Sequence, residues 1–450
     1  MIDEETISSV RHKLINKEFY EKTKAFVVSS LELLISFLHK GEDVPYTIVY
    51  KTKIKGNLWS LDIVDEPLYF TFVDRHRKEI ESLPECAACV DVMHSDITIS
   101  KHLDCLVGTK SRCSPRTAWE YLRYFLTKQL PERFDAKTFD RMYYDLEKFF
   151  YNDSVKLQVF SPIYNFSGDF DEIDFGDGLR IRRITTSELE QLSDEVRLTS
   201  QVPSTDIPSL KYVIELRCKT RKLIGETPAV KVPSPNVQAR ETFSKVITAL
   251  RLFKQGTVGF NVIKAISMID VPNLVGVPFT DCVYKRFRGL PYTLTEAEPV
   301  EFRSFWDTFG KIYLRKPTPL SVAIRRFNYA YERDEIEDKL VDYMIAFEAM
   351  LTNRKEKSKG RLIARRVGKL IETDASILKK IRSELWTAYQ LRNDIVHEGA
   401  PNFARLKGRS FERFVEIVEE YLRRTLKEFL VKSISGVDKR AIVASLDSGQ

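Results

Sequence analysis

The chain has 450 residues, of which 43% are hydrophobic and 30% are charged, and its formal net charge is +7. This length predicts two or three domains with a sizeable core, and the composition is that of a globular protein and excludes a disordered one. The acidic, polar start MIDEETISS excludes a secretory signal or transit peptide. The most apolar early run, residues 25–38, is too short to cross a bilayer and contains Glu32. We therefore expect a cytoplasmic protein without a membrane partner.

Residues 1–152 are predicted to form an N-terminal α+β domain. Apolar residues at helical spacing predict a first helix that ends at Gly41. Three runs rich in β-branched and aromatic residues, at 46–54, 58–64 and 67–73, then predict a small meander of strands. Two helices follow, and the second ends near Asn152.

A segment rich in cysteine and histidine interrupts this domain. Cys86-x2-Cys89 followed by His102-x2-Cys105 is a spacing that four-ligand structural zinc sites use. Small buried cysteines in a core helix would give the same pattern, so structural zinc and packed thiols both stay open. Six cysteines in so long a chain do not make a disulfide framework, and none is marked as an activated nucleophile.

Residues 153–297 are predicted to form a middle domain that mixes strands with helices. The runs VKLQVFSPIYNF, GLRIRRI and SLKYVIELRCKT are typical of strands, and Asp177-Gly178 predicts a tight hairpin turn. Ser187 and Glu190 have the spacing of a capping box at a helix start.

From residue 298 to residue 435 the apolar pattern is helical throughout, with short loops between six candidate helices. This pattern predicts an all-α bundle, with a tail at residues 436–450. The predicted fold class is thus α+β N-terminal and middle regions followed by an all-α C-terminal helical bundle.

The positive charge of the chain is concentrated in the predicted bundle. Residues 352–428 contain 19 Lys and Arg against 11 Asp and Glu, so the rest of the chain is close to neutral. Such a concentration indicates a polyanion partner, usually nucleic acid, although a solvated helical face is the alternative. The densest stretch, residues 353–369, has no interleaved aromatic residues and predicts contact with an RNA backbone rather than with bases. Its candidate RNA-binding residues are Lys355, Lys357, Lys359, Arg361, Arg365 and Arg366.

The stretch LRNDIVHEGAP, residues 391–401, ends a helix that is predicted to start near Ser376 and to stop at Gly399. Asn393 and His397 are four residues apart and share a face, with Tyr389 one turn earlier. Arg392 is about 140° from His397 on an ideal helix, so it flanks that face.

These side chains suit RNA cleavage without a metal ion. Histidine transfers protons near neutral pH, and an arginine fork stabilises charge that builds on phosphoryl oxygens. One histidine is few for two proton transfers, and a symmetric dimer would bring two copies together. The alternative is structural, because His397 and Arg392 would also interact well with the dipole at the end of a helix.

Arg392-Asn393-x3-His397, at the end of the penultimate helix of an all-α bundle, resembles the signature of the HEPN superfamily. Residues 163–192 and 323–352 resemble its ApeA-like branch, and the resemblance extends over about residues 157–430. It implies a HEPN-like bundle and a metal-independent endoribonuclease, with no cofactor for catalysis. Arg392, Asn393 and His397 would be catalytic, in a site that forms across a homodimer of the C-terminal helical domain. Glu348 matches an acidic position of the branch and would orient a motif side chain, unless it is an ordinary ion-paired carboxylate.

The resemblance also implies a biological setting. Many relatives cut cellular RNA, tRNA being one candidate, as toxins or in anti-phage defence by abortive infection. The first 290 residues would then sense a trigger or restrain the nuclease, and a phage-derived trigger or inhibitor protein is an expected partner. Two alternatives stay open: a non-catalytic HEPN scaffold that binds RNA or a partner protein, and a zinc-bearing recognition protein whose bundle only dimerises.

Overall fold

A computed structural model describes residues 14–56, 58–103, 106–107, 111–112, 118–127, 133–199, 210–223, 235–269, 271, 289–310 and 318–448. The chain divides into two compact units. The first comprises residues 1–162, 176–241 and 262–283, and the second comprises residues 163–175, 242–261 and 284–450. The chain passes between the two units several times, so the units do not coincide with the three consecutive regions expected from the sequence.

The N-terminal part of the first unit is mostly helical. Its elements are α1 (Lys17–His39), β1 (Tyr46–Lys55), β2 (Leu58–Pro67), α2 (Tyr69–Arg75), α3 (Arg77–Glu81), α4 (Pro84–Ser95), α5 (Ile97–His102), β3 (Leu106–Val107), β4 (Ser111–Arg112), α6 (Ala118–Phe125) and α7 (Ala136–Tyr151). The first helix is confirmed, and it begins where the Asn16 side chain accepts a hydrogen bond from the amide of Phe19.

The third strand predicted at 67–73 is wrong, because α2 occupies most of that run. β1 and β2 pair with each other as an antiparallel two-stranded ribbon. Phe72 and Val73 are both buried, although neighbouring residues of a strand would point to opposite faces. The high strand propensity of this aromatic run is therefore overridden by the packing of two adjacent side chains.

A sheet completes the first unit. The elements that follow along the chain are β5 (Ser154–Pro162), β6 (Phe166–Gly168), β7 (Glu172–Gly176), β8 (Leu179–Arg183), α8 (Thr186–Thr199), β9 (Tyr212–Leu223), α9 (Pro235–Phe253), β10 (Lys264–Ser267) and β11 (Tyr292–Leu294). Of these, β6, β11 and most of β7 and α9 lie in the second unit, where β6 and β11 pair in parallel. Strand β9 pairs antiparallel with β3, β5 and β8, and β10 pairs with β5. The carboxylate of Glu215 on β9 is fully buried and binds Arg180 and Arg182 of β8.

The hairpin turn predicted in this part of the chain is present, whereas the predicted capping box lies elsewhere. At the predicted turn, Asp177 and Gly178 have φ of +52° and +77°, the left-handed values that a two-residue hairpin turn requires. The predicted capping box was displaced by two residues. Thr185 and Glu188 form it instead, through Glu188 N to Thr185 Oγ1 at 3.2 Å and Thr185 N to Glu188 Oε2 at 3.0 Å.

Helices make up most of the described chain from residue 298 onward, as predicted. They are α10 (Glu298–Phe309), α11 (Pro319–Ala330), α12 (Ile336–Leu351), α13 (Lys359–Ile371), α14 (Ala375–Glu398), α15 (Phe411–Ile434) and α16 (Lys439–Ser448). Helix α12 packs against α11, α13, α14 and α15, so it lies at the centre of the helical part. Its buried side chains include Leu340, Met344, Phe347, Met350 and Leu351.

Residues 436–450 were predicted to be a tail, and that prediction is wrong for most of the segment. Helix α16 buries Ile442, Val443 and Leu446 against the bundle, where it packs on α12 and α13. Lys439 donates to the carbonyl oxygens of Ala349 and Thr352 at 2.8 and 2.6 Å. Within the ranges described above, no helix has the length and apolar character needed to cross a bilayer.

Candidate active site

The motif predicted to be functional lies at the end of α14, and the structure places that helix almost as the sequence predicted. Asp374 caps its first turn by accepting from the amides of Ser376 and Ile377, and Gly399 ends it with φ of +83°. One face is fully buried in the bundle through Ile381, Leu385, Ala388 and Leu391. That packing fixes which side chains of α14 remain at the surface.

Arg392 is held between two neighbours at the surface of the bundle. Its Nη1 donates to Oδ1 of Asn393 at 3.1 Å, and its Nη2 lies 3.7 Å from Oε1 of Glu348 on α12. Its Nε is buried and has no hydrogen-bond partner within the described part of the chain. The guanidinium is therefore oriented by two side chains while it keeps donor capacity.

His397 lies one turn beyond Asn393, in the last turn of α14. Its side chain is exposed, and it makes no hydrogen bond or ion pair with any residue that the structure describes. An exposed imidazole without a fixed partner is free to meet a ligand and to exchange protons with it. The sequence motif thus divides into a fixed part, Arg392 with Asn393, and an open part, His397.

Glu348 carries a second ion pair. Nζ of Lys359, the first residue of α13, lies 3.6 Å from its Oε2. One carboxylate thus holds two cations, Lys359 and Arg392, and the three groups together have a net charge of +1. Glu348 therefore combines the two roles considered for it: it lies against Arg392 of the motif, and it is also ion-paired with a lysine. A site with this excess of positive charge suits a phosphodiester anion.

Tyr389 borders the cluster on the same helix, with the Arg392 Cζ 5.9 Å from its ring centroid. Burial raises the pKa of its hydroxyl, and the nearby Glu348 carboxylate raises it further. Tyr389 is therefore protonated at neutral pH and can donate a hydrogen bond. Its ring packs directly on Gly360 of α13, where a Cβ would lie 2.4 Å from Cδ1 of Tyr389 and 3.0 Å from Cζ3 of Trp386.

Gly360→Ala is expected to destabilise the protein by about 1–3 kcal/mol, because the added methyl group must push back either the rings or the start of α13. Chemical denaturation of the full chain measures the change. Gly408→Ala is a suitable comparison, since open space surrounds the Cβ position of Gly408 and its cost comes only from its φ of +82°. Equal stability of Gly360→Ala and the wild type would contradict the close packing of α13 on α14.

Two of the six predicted RNA-binding residues have structural partners instead. Arg366 is only 2% exposed, and its guanidinium binds Glu356, Asp447 and the carbonyl oxygen of Leu351. Its assignment to RNA is therefore corrected. Arg365 is half-buried and also binds Asp447, at 2.6 Å. The other four are Lys355, Lys357 and Arg361, which are exposed, and Lys359, which is half-buried beside Glu348.

An ion pair between Asp394, inside the motif, and Arg405 was not predicted from the sequence. Arg405 binds the carboxylate of Asp394 with two nitrogens, at 2.7 and 3.1 Å, and thereby ties the segment after Gly399 back to α14. This hydrogen-bonded pair lowers the pKa of Asp394. Asp394 lies inside the motif, but nothing in the sequence pairs it with an arginine eleven residues away.

The predicted zinc ligands are described only in part. Cys86 and Cys89 are buried on α4, and His102 at the end of α5 has its Nδ1 2.8 Å from the carbonyl oxygen of Thr98. Cys105 lies outside the described residues. Burial raises the pKa of the Cys89 thiol to about 12, and that thiol lies 3.6 Å from Oγ1 of Thr23. These contacts are those of packed thiols, and in the described segments no three His, Cys, Asp or Glu residues are grouped as metal ligands. Structural zinc stays a prediction.

The cluster at the end of α14 combines a proton-transfer group, a fixed guanidinium and an amide. The chain was compared with protein-family models, curated proteins and solved structures, and it matches none of them. What the cluster does is therefore inferred from its own side chains. An exposed histidine in the last turn of a helix whose preceding turn carries an oriented arginine is suited to binding a phosphate ester and moving a proton at it.

Proposed function

We propose that this protein is a HEPN-type endoribonuclease that cuts RNA by attack of the 2′-OH, without a catalytic metal ion. The observation that carries the proposal is the arrangement at the end of α14. There Arg392 is oriented by Asn393 and Glu348, and His397 is exposed one turn further on. The motif's resemblance to the HEPN signature and the basic charge of residues 352–428 support the same function.

The proposed reaction breaks one P–O bond and forms another. The 2′ oxygen attacks the adjacent phosphorus and gives up its proton, and the bond to the 5′ oxygen breaks as that oxygen accepts a proton. The products are a 2′,3′-cyclic phosphate and a 5′-hydroxyl. His397 is the group that transfers protons, and Arg392 stabilises the charge that develops on the phosphoryl oxygens. The Asn393 amide, whose oxygen is held by Arg392, has its NH2 group for a further hydrogen bond to the phosphate or ribose.

A homodimer through the helical bundle is part of the proposal. Two proton transfers are needed, and each chain offers one histidine at this site. Two copies related by a twofold axis would contribute two His397 side chains and two Arg392 side chains to one cleft. The proposed substrates are cellular RNAs in the cytoplasm, and the proposed role is anti-phage defence or a toxin. This setting rests on the resemblance to HEPN ribonucleases, and the first 290 residues would respond to a phage-derived trigger or inhibitor.

Purified full-length protein in EDTA tests the activity, with total tRNA and an mRNA as substrates. The expected result is cleavage whose products carry 2′,3′-cyclic phosphate and 5′-hydroxyl ends. The assay is repeated with Mg²⁺ and with extract from phage-infected cells, which supplies a trigger if one is required. A folded protein that binds RNA but cuts it under none of these conditions would indicate the scaffold function instead.

Arg392→Ala is expected to lower the cleavage rate by about 10²–10³-fold, the usual loss when one preorganised donor to a developing oxyanion is removed. Glu348→Gln is the matched variant, since it keeps the shape of the side chain and removes the charge that holds Arg392. Its loss is expected to be smaller, because the guanidinium remains. Single-turnover rates with saturating enzyme measure both, and a larger loss for Glu348→Gln would assign the carboxylate a direct role in proton transfer.

A further inference from the structure

Two neighbouring aromatic rings of α14, with an arginine at each end, form a row that leads away from the candidate active site. The Arg392 Cζ lies 5.9 Å from the ring centroid of Tyr389, and the Tyr389 ring is parallel to that of Trp386, with 9° between the planes and 6.4 Å between the centroids. At the far end, the Arg361 Cζ lies 5.5 Å from the centroid of Trp386. Arg361 is exposed, and the two rings are half-buried.

The two rings are held in place from behind by α13. Gly360 lies so close to both that the position of its missing Cβ is within 3.0 Å of each ring. Rings that are fixed in parallel planes lose little conformational entropy when a flat ligand stacks on them. They are therefore preorganised for such a ligand.

Of this row, Trp386 shares the face of α14 that carries His397, and two basic residues of α14 lie on the same face. Lys379, Arg382 and Trp386 precede His397 by 18, 15 and 11 residues, which places all three within about 60° of its direction on an ideal helix. Trp386 is then about 16 Å from His397 along the helix axis, a distance that a few nucleotides can span. Beyond the row, an open cleft has a mostly basic and polar lining, formed by Ser376, Lys379, Lys380, Ser383, Glu384 and Arg409.

We propose that Arg361, Trp386 and Tyr389 form a subsite on which unpaired bases of RNA stack, a few nucleotides from the scissile phosphate. The proposal rests on the ribonuclease function above and specifies its substrate class. Every base has a π-face, so stacking tolerates any sequence, but it requires bases that are not inside a duplex. The cations in the row attract the backbone and stack on the rings. Single-stranded loops and ends are therefore the substrates of this site, and double-stranded RNA is not.

The test uses the full-length His397→Ala protein, so that RNA is bound without being cut. Fluorescence anisotropy measures its affinity for a labelled 12-nucleotide single strand of mixed sequence and for the same strand in a duplex. Trp386→Leu in this background is expected to weaken single-strand binding about tenfold and to leave duplex binding unchanged, whereas Trp386→Phe retains most of the affinity. Tyr329→Leu is the matched control, since Tyr329 is also an exposed ring with an arginine, Arg326, above it on α11.

The outcomes separate the subsite from the nuclease activity. Equal single-strand affinity of the parent and Trp386→Leu, or no RNA binding by the parent, overturns the subsite. Dissociation of a dimer by Trp386→Leu without weaker RNA binding also overturns it, because the row would then be an interface between two copies. If the wild type cuts no RNA but Trp386→Leu selectively weakens single-strand binding, the subsite stands and the nuclease proposal fails. Thermal unfolding of each variant confirms that Trp386→Leu remains folded at the assay temperature.

Discussion

His397→Ala is expected to lower the rate of RNA cleavage by about 10²–10⁴-fold, the usual contribution of a positioned proton-transfer group. The same variant should unfold within about 2 °C of the wild type. Its side chain is exposed and makes no hydrogen bond with any residue in the described ranges, so the only stabilising interaction lost is a weak one with the dipole of α14. A large loss of activity without a loss of stability is the result that distinguishes a catalytic histidine from a helix-terminal one.

His94→Ala is the matched control for this experiment. His94 is also exposed and also lies in the last turn of a helix, α4 in the first unit. Its replacement removes the same helix-terminal interaction and should leave cleavage unchanged. Cleavage by His397→Ala at the rate of the wild type, or an equal loss in both variants, would show that the motif is only the end of a helix.

Mixtures of the wild type with His397→Ala test whether two copies share one active site. If each cut needs a histidine from both protomers, mixed dimers are inactive and the activity falls as the square of the wild-type fraction. If each chain works alone, the activity falls in direct proportion to that fraction. Gel filtration of the same mixtures measures whether the protein is a dimer at the assay concentration, which the first interpretation requires.

The bounds of α14 were predictable because their signals are local. Asp374 and Gly399 are a cap and a stop that act within one turn of helix, and neither needs a partner from elsewhere in the chain. The orientation of Arg392 was only partly predictable. A carboxylate at Glu348 was expected near the motif from the resemblance, but its approach to 3.7 Å depends on the packing of α12 against α14.

The basic stretch at residues 353–369 shows most clearly that a local sequence pattern does not reveal contacts with other helices. It has no aromatic residues of its own, so the sequence indicated no surface for stacking bases. The packing of Gly360 on α14 brings Trp386 beside Arg361, so the surface combines an arginine of α13 with two aromatic rings of the next helix, α14. The same stretch contains Arg366, whose neighbours in the sequence are basic. Its side chain is nevertheless buried in the bundle, where it binds the carboxylates of Glu356 and Asp447.

The charge pattern of the sequence predicts that Arg366 binds RNA, whereas the structure predicts that Arg366 stabilises the bundle. Arg366→Ala is expected to lower the free energy of unfolding by about 2–4 kcal/mol, below the upper end of the range for a buried ion pair because its carboxylate partners are half-exposed. The variant removes the hydrogen bond to Leu351 O at the end of α12 as well as the link from α13 to α16. Chemical denaturation with an unchanged slope against denaturant measures this loss.

The pH dependence of that loss has a definite sign. Arg366 lowers the pKa of Glu356 and the pKa of Asp447, since its guanidinium donates hydrogen bonds to both carboxylates. A lowered carboxyl pKa contributes stability that is complete at neutral pH and disappears as the pH falls through the lowered value. The difference between the wild type and Arg366→Ala should therefore be largest near neutral pH and shrink under acid conditions.

Arg365→Ala is the comparison that separates structure from RNA binding. Arg365 shares the carboxylate of Asp447 but is 42% exposed, so its replacement should cost no more than about 1 kcal/mol. Weaker RNA binding by Arg366→Ala with no change in the free energy of unfolding would return Arg366 to the RNA surface. We expect Arg366→Ala to lower the free energy of unfolding and to leave RNA binding unchanged. A guanidinium that already binds two carboxylates and a carbonyl oxygen has few N–H donors left for a phosphate.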